Sequence, residues 1–100
     1  MRRVLSSPAA ESSPELRQAV YDYTAALTRR EPFAGVVPAA AEPYLRKVAL
    51  SAYKVLDRDV DAMGAAGMST GEMFEMTVVA AVSAGATRME IALAALEEVR

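Results

Sequence analysis

The chain has no cysteine, no histidine and no tryptophan. The first absence removes disulfides and every reaction that needs a thiolate. The second removes the imidazole on which triads and neutral-pH proton relays depend, and the two together remove Cys/His metal sites. An excess of charge is missing too. Lys+Arg 11 against Asp+Glu 13 leaves a net charge of -2, which is no electrostatic footprint for nucleic acid. Long apolar runs are also lacking: the longest, Val78–Ala86, is interrupted by Ser83 and is about half of the roughly 20 residues a membrane crossing needs. Met1-Arg2-Arg3-Val4-Leu5 starts basic but turns polar at Ser6-Ser7-Pro8, so no signal-peptide core follows. The expectations are therefore no nucleic acid, no membrane, no metal, no cofactor and a cytoplasmic location.

What is present is apolar and helix-forming. Hydrophobic residues make up 53% of the 100, and 21 of the 100 are alanine, the best intrinsic helix former. The length suits one domain. Alanine contributes little burial per side chain, so a helical domain of this composition gains from self-association. Residues 1–13 are rich in Ser, Pro and Ala without a period and read as a mobile arm, with one domain over 14–100.

Four helices are expected, over 14–30, 43–55, 58–66 and 70–98. Ser13-Pro14-Glu15 places a capping hydroxyl, a proline at the first helical position and an acid in the first turn. Leu16, Val20, Tyr23 and Leu27 then recur at helical spacing until Pro32 stops the helix. Glu42-Pro43 opens the second helix, with Leu45, Val48, Ala49, Ala52 and Val55 on one face. Asp57 reads as the next cap, ahead of Val60 and Met63 as the buried positions and Gly67 as the stop. Ser69 and Glu72 form a capping-box pattern before the longest helix. The first half of that helix is apolar on most faces, hence central or shared with a partner. In its second half Met89, Ala92, Leu93 and Leu96 read as the inward face, and Gly85 as a possible kink. The weak apolar stretch 34–37 is the sole strand candidate. The fold class is all-α.

The segment Asp59–Ser69, followed by Glu72 and a long apolar helix carrying Arg88, resembles the alkylhydroperoxidase AhpD / carboxymuconolactone decarboxylase superfamily over about residues 43–96. The resemblance implies a small, oligomeric, all-helical AhpD-like domain. It also implies where the family's CxxCxxxH chemistry would lie. Counted back from Gly67, the histidine position falls on Asp59, the cysteine positions on Val55 and Ala52, and the preceding glutamate near Ala40 or Glu42. Gly67, Ser69, Glu72 and Arg88 match the family and support a fold; Val and Ala supply no sulfur. Thiol peroxidase activity is not expected unless a partner brings the thiol, and histidine-dependent decarboxylation is disfavoured likewise.

Two functions follow. One is a non-redox, homo-oligomeric module that binds a small ligand or a partner. The other is a small enzyme using carboxylate and tyrosine for acid–base chemistry in a pocket between helices, with Glu75, Asp59 and Tyr53 catalytic and Lys54, Phe74 and Arg88 binding ligand. Glu75 invites that reading because it interrupts an apolar helix half: such a carboxylate is either paired, with Arg88 or Lys47, or raised in pKa. Each of these residues has a plainer role. Asp57, Asp59 and Asp61 suit a helix N-terminus as well as a hard cation. Met63, Met68, Met73 and Met76 fill gaps between alanine-rich helices as well as they would line an adaptable surface.

Overall fold

The structure, a computed structural model, describes residues 11–99, with Tyr53 described in its backbone alone. It is all-helical: α1 (Pro14–Arg29), α2 (Glu42–Leu50), α3 (Asp57–Ala65) and α4 (Thr70–Val99), with 3-10 turns at Ala39–Ala41 and Ala52–Lys54. Among the described residues there is no strand, and residues 34–37 are coil.

α1 starts where its capping signal says. Ser13 Oγ accepts the amide of Leu16 at 3.0 Å, and Pro14 occupies the first turn, where its missing N–H costs nothing. Its end is set by Arg30, which adopts a left-handed φ of 58°, while the amide of Glu31 returns to the Ala26 carbonyl at 2.9 Å. Val20 and Tyr23 are buried, and Leu16 and Leu27 pack against the core from its edge. The ring of Tyr23 meets Phe33 edge to face, 5.3 Å between centroids.

α2 is shorter than its apolar spacing implies. It stops at Leu50 and yields to a bend at Ser51 and a 3-10 turn instead of running to Val55. Ser51 leaves the helical region at φ -161° and ψ 66°, and the guanidinium of Arg88, from α4, donates to the Ala49 carbonyl that the ended helix leaves open. Leu45 and Ala49 are buried as expected, whereas Ala52 is exposed. α3 begins one residue early, with Leu56 rather than Asp57 at the cap; Asp59 reaches back to the Leu56 amide at 2.8 Å. Met63 is fully buried, but Val60 is 41% exposed, so only one of its two expected core residues reaches the core. Gly67 turns the chain at φ 93°, a conformation that disfavours any side chain.

α4 is the organising element and packs more extensively on α1 than on any other helix. The Ser69–Glu72 capping box closes at both bonds, 3.0 Å each. The helix runs unbroken through Gly85 for 30 residues, about 45 Å. Met76, Val79, Ala80, Ser83, Ala84 and Thr87 are buried against the body, and Ser83 Oγ donates to the Tyr21 carbonyl at 2.7 Å. Beyond Thr87 no described residue is buried. Met89, Ala92, Leu93 and Leu96, expected to face inward, are exposed, because they lie on the side of α4 turned away from the buried Met76–Thr87 stripe, as Val82 and Gly85 do. By length and composition alone α4 is apolar enough to cross a membrane, a measure that a core helix also passes.

Candidate functional site

The chemistry-bearing side chains form three separate nodes. The first is Glu75. On the apolar half of α4 it accepts the backbone amides of Glu11 (3.1 Å) and Ser12 (2.8 Å) and the Ser12 hydroxyl (2.5 Å). Arg17, fully buried on α1, donates to the carbonyl of Ser12 and, at 3.1 Å, to its hydroxyl. Ser12 is thus the bridge between an acid on α4 and a base on α1. The bonds from Ser12, followed by the Glu11 amide and the nearby Arg17 charge, hold the Glu75 carboxyl below its ordinary range despite partial burial. The expected pairing with Arg88 or Lys47, or a raised pKa, is replaced by this clamp. Residues 11–13, grouped with the arm by composition, are docked on the body; residues 1–10 lie outside the described residues.

The second node is Asp59, buried at the start of α3. Its carboxylate accepts Lys47 Nζ at 2.8 Å and the Leu56 amide at 2.8 Å. The Lys47 hydrogen bond, then that of Leu56, lowers its pKa against the cost of burial. A lysine therefore occupies the position a cation would take, and among the described residues no three His, Cys, Asp or Glu side chains converge. The third node is Arg88 on the Ala49 carbonyl. Glu75, Asp59 and Arg88 are not brought together.

Two clefts lie between these nodes. An open groove of about 300 Å³ is lined by Tyr44, Val60, Met63, Met73, Phe74 and Thr77. Phe74 and the methionines are there as the pocket reading requires, but Phe74 is 68% exposed and neither Asp59 nor Glu75 lines the groove. The Tyr44 hydroxyl is engaged with Thr77 Oγ1 at 2.6 Å. The larger cleft, about 660 Å³, opens where the end of α1 meets α2 and α4. Leu27, Leu50 and Ile91 supply apolar wall, and Arg30, Arg46 and Arg88 supply guanidinium groups around it, with Glu31 the single acid. Arg88 is the one candidate ligand residue that lines it. Lys54 is exposed on the 3-10 turn after α2 and lines neither cleft; the side chain of Tyr53 lies outside the described residues.

Sequence reasoning missed Ser12 and Arg17 at the Glu75 node and Arg30 and Arg46 at the cleft. A signal for Arg17 existed: it falls between Leu16 and Val20, three residues before Val20 on the α1 stripe, where a cation needs an acid. Electrostatically Glu75 is spent on two backbone amides and the Ser12 hydroxyl and Asp59 on the Leu56 amide and Lys47, while Arg30, Arg46 and Arg88 gather positive charge at the larger cleft. In comparisons with known proteins the chain matches no family model, no curated protein and no solved structure.

Proposed function

We propose that the chain is a non-redox association module, an AhpD-like helical domain that joins copies of itself through the outer face of α4. The observation that carries this is the last three turns of α4. There Met89, Leu93, Leu96 and Val99 are 55–84% exposed on the side of the helix turned away from the body. Such a stripe on a 100-residue domain is a contact surface rather than scattered exposure. Absence of thiol and imidazole supports a binding role over the family's peroxide or decarboxylase chemistry. The carboxylate–tyrosine acid–base alternative draws little support from Glu75 and Asp59, because a carboxylate held below its ordinary pKa is a poor general base.

Light scattering coupled to gel filtration tests the proposal. The expected result is a dimer or larger species at about 100 µM, dissociated to monomer by Leu96→Asp, a change that touches nothing buried. A monomer throughout refutes it.

A second reading, a small organic anion in the 660 Å³ cleft, is favoured by its three arginines beside apolar walls. Thermal stabilisation by a small carboxylic or phosphoric acid, lost in Arg46→Ala, would establish it; no shift with any such acid removes it.

A further inference from the structure

The inference rests on the association reading and gives it a geometry. α4 carries two apolar stripes. One, from Met76 through Val79, Ser83 and Thr87, is the core stripe. The other is Val82, Gly85, Met89, Ala92, Leu96 and Val99, at spacings of three, four, three, four and three. All six are exposed. That spacing has the 3.5-residue period of a coiled-coil seam, the a and d positions of a heptad. The core stripe continued past Thr87 runs through Glu90, Ile91, Ala94 and Glu98, a different and half-acidic line, so the six outer residues are not its continuation.

We infer that residues 82–99 of α4 pair with the same segment of a second copy as a short antiparallel coiled coil. The register sets Val82 against Val99 of the second copy, Gly85 against its Leu96, and Met89 against its Ala92. Every layer then matches a small residue with a large one, or valine with valine, which is how facing positions fill space without voids. A parallel pair does the reverse. It stacks Gly85 on Gly85 and Ala92 on Ala92, leaving two hollow layers beside a crowded Met89 and a crowded Leu96. The acids Glu90, Glu97 and Glu98 fall outside the six seam positions, so no carboxylate is buried by either arrangement.

Length is the objection to meet: 18 residues make a seam of about 27 Å, short for an isolated coiled coil. Here the helix is already nucleated by the packed residues 70–87, so pairing does not have to supply the cost of helix formation.

A chain without cysteine makes the test direct. Gly85→Cys and Leu96→Cys proteins are mixed in equal amounts and oxidised mildly, and so, separately, are Val82→Cys and Val99→Cys. The expected product in each mixture is the mixed disulfide, well above its statistical half. Self-disulfides are disfavoured, because two copies of position 85 lie about 16 Å apart along an antiparallel pair, beyond the roughly 7 Å that a disulfide spans. Efficient self-disulfides at all four positions, from a chain that scatters as a dimer, overturn the antiparallel register but leave association standing. A dimer that forms no cross-link at any of the four overturns this surface. A chain that scatters as a monomer overturns both readings, and one that also sediments with phosphatidylcholine vesicles assigns the stripe to lipid.

Discussion

Glu75 separates a structural acid from a catalytic one. Its carboxylate holds two backbone amides and the Ser12 hydroxyl, and so docks residues 11–12 across the junction of α1 and α4. In Glu75→Gln one carboxylate oxygen becomes an amide NH2, which faces an N–H donor and can accept nothing from it. Hydrogen bonds to a charged acceptor contribute about 1.5–3 kcal/mol each against about 1 for neutral ones. Glu75 is half-buried, so the low end applies, and the net loss is about 2 kcal/mol. At about 4–8 °C per kcal/mol for a domain of this size, the thermal midpoint at pH 7 falls by about 8–16 °C. Circular dichroism melts of the full chain measure it.

The pH dependence has a definite sign. The folded Glu75 carboxyl lies below its ordinary 4.5, so the folded state binds fewer protons than the unfolded one as the pH falls past that value. Its contribution is complete above pH 4.5 and disappears as the pH drops through the lowered folded value. The gap between the native chain and the Gln variant is therefore wide at pH 7 and closes in acid. Equal melts at pH 7, or a gap unchanged down to about pH 3, refute the clamp. An acid–base catalyst makes the opposite demand, with turnover lost and stability kept.

Asp59→Asn removes the acceptor of Lys47 and of the Leu56 amide. The variant is expected to unfold at lower urea than the native chain at pH 7 and to converge with it below about pH 3.8, the ordinary value beneath which Asp59 is held. Met63→Ala opens a cavity at a fully buried site and is expected to cost about 2–5 kcal/mol by urea denaturation, while the neighbouring Val60→Ala, 41% exposed, costs less than about 1. Comparable losses at the two positions would mean that α3 presents a different face to the core.

Two helix starts and one stop were legible because their signals are local, whereas Asp57, read as the cap of α3, yields that place to Leu56. Ser13-Pro14, Ser69 with Glu72, and the Gly67 turn each act within four residues, and each is found in the structure. The end of α2 was not legible, because no Gly or Pro marks the break at Ser51, and Arg88, which takes up the Ala49 carbonyl left open there, is 39 positions away. The partner of Glu75 escaped for the same reason: Ser12 is 63 residues distant, in a stretch whose composition reads as unstructured. The inward face of the second half of α4 was misassigned on a different ground. Apolar spacing reports which residues share a face, but not whether anything stands opposite it. Val82 and Gly85, on the line of Met89, Ala92 and Leu96, are exposed even beside the buried Ser83 and Thr87, so this side of α4 is turned away from the body from Val82 onward.

Residues 88–99 remain helical without burying a side chain, so propagation from a packed helix, rather than packing of their own, holds them in place. A dozen residues detached from such an anchor would be marginal in water. This divides α4 into two segments with different exchange behaviour. Amides from Met76 to Ala81 are already protected by the body in a single chain, and pairing adds to their protection only through the stability of the whole fold. Amides after Thr87 open by fraying and are protected only while paired. With the free chain at ten times the dimer dissociation constant, mass action slows their exchange roughly tenfold. Hydrogen exchange followed from about 10 µM to 1 mM reads both segments in one sample, across the range a short interface requires. Concentration-independent exchange after Thr87 would show that the outer stripe meets no second copy, whatever the scattering mass, because a contact made elsewhere on the body leaves these last turns to fray at an unchanged rate.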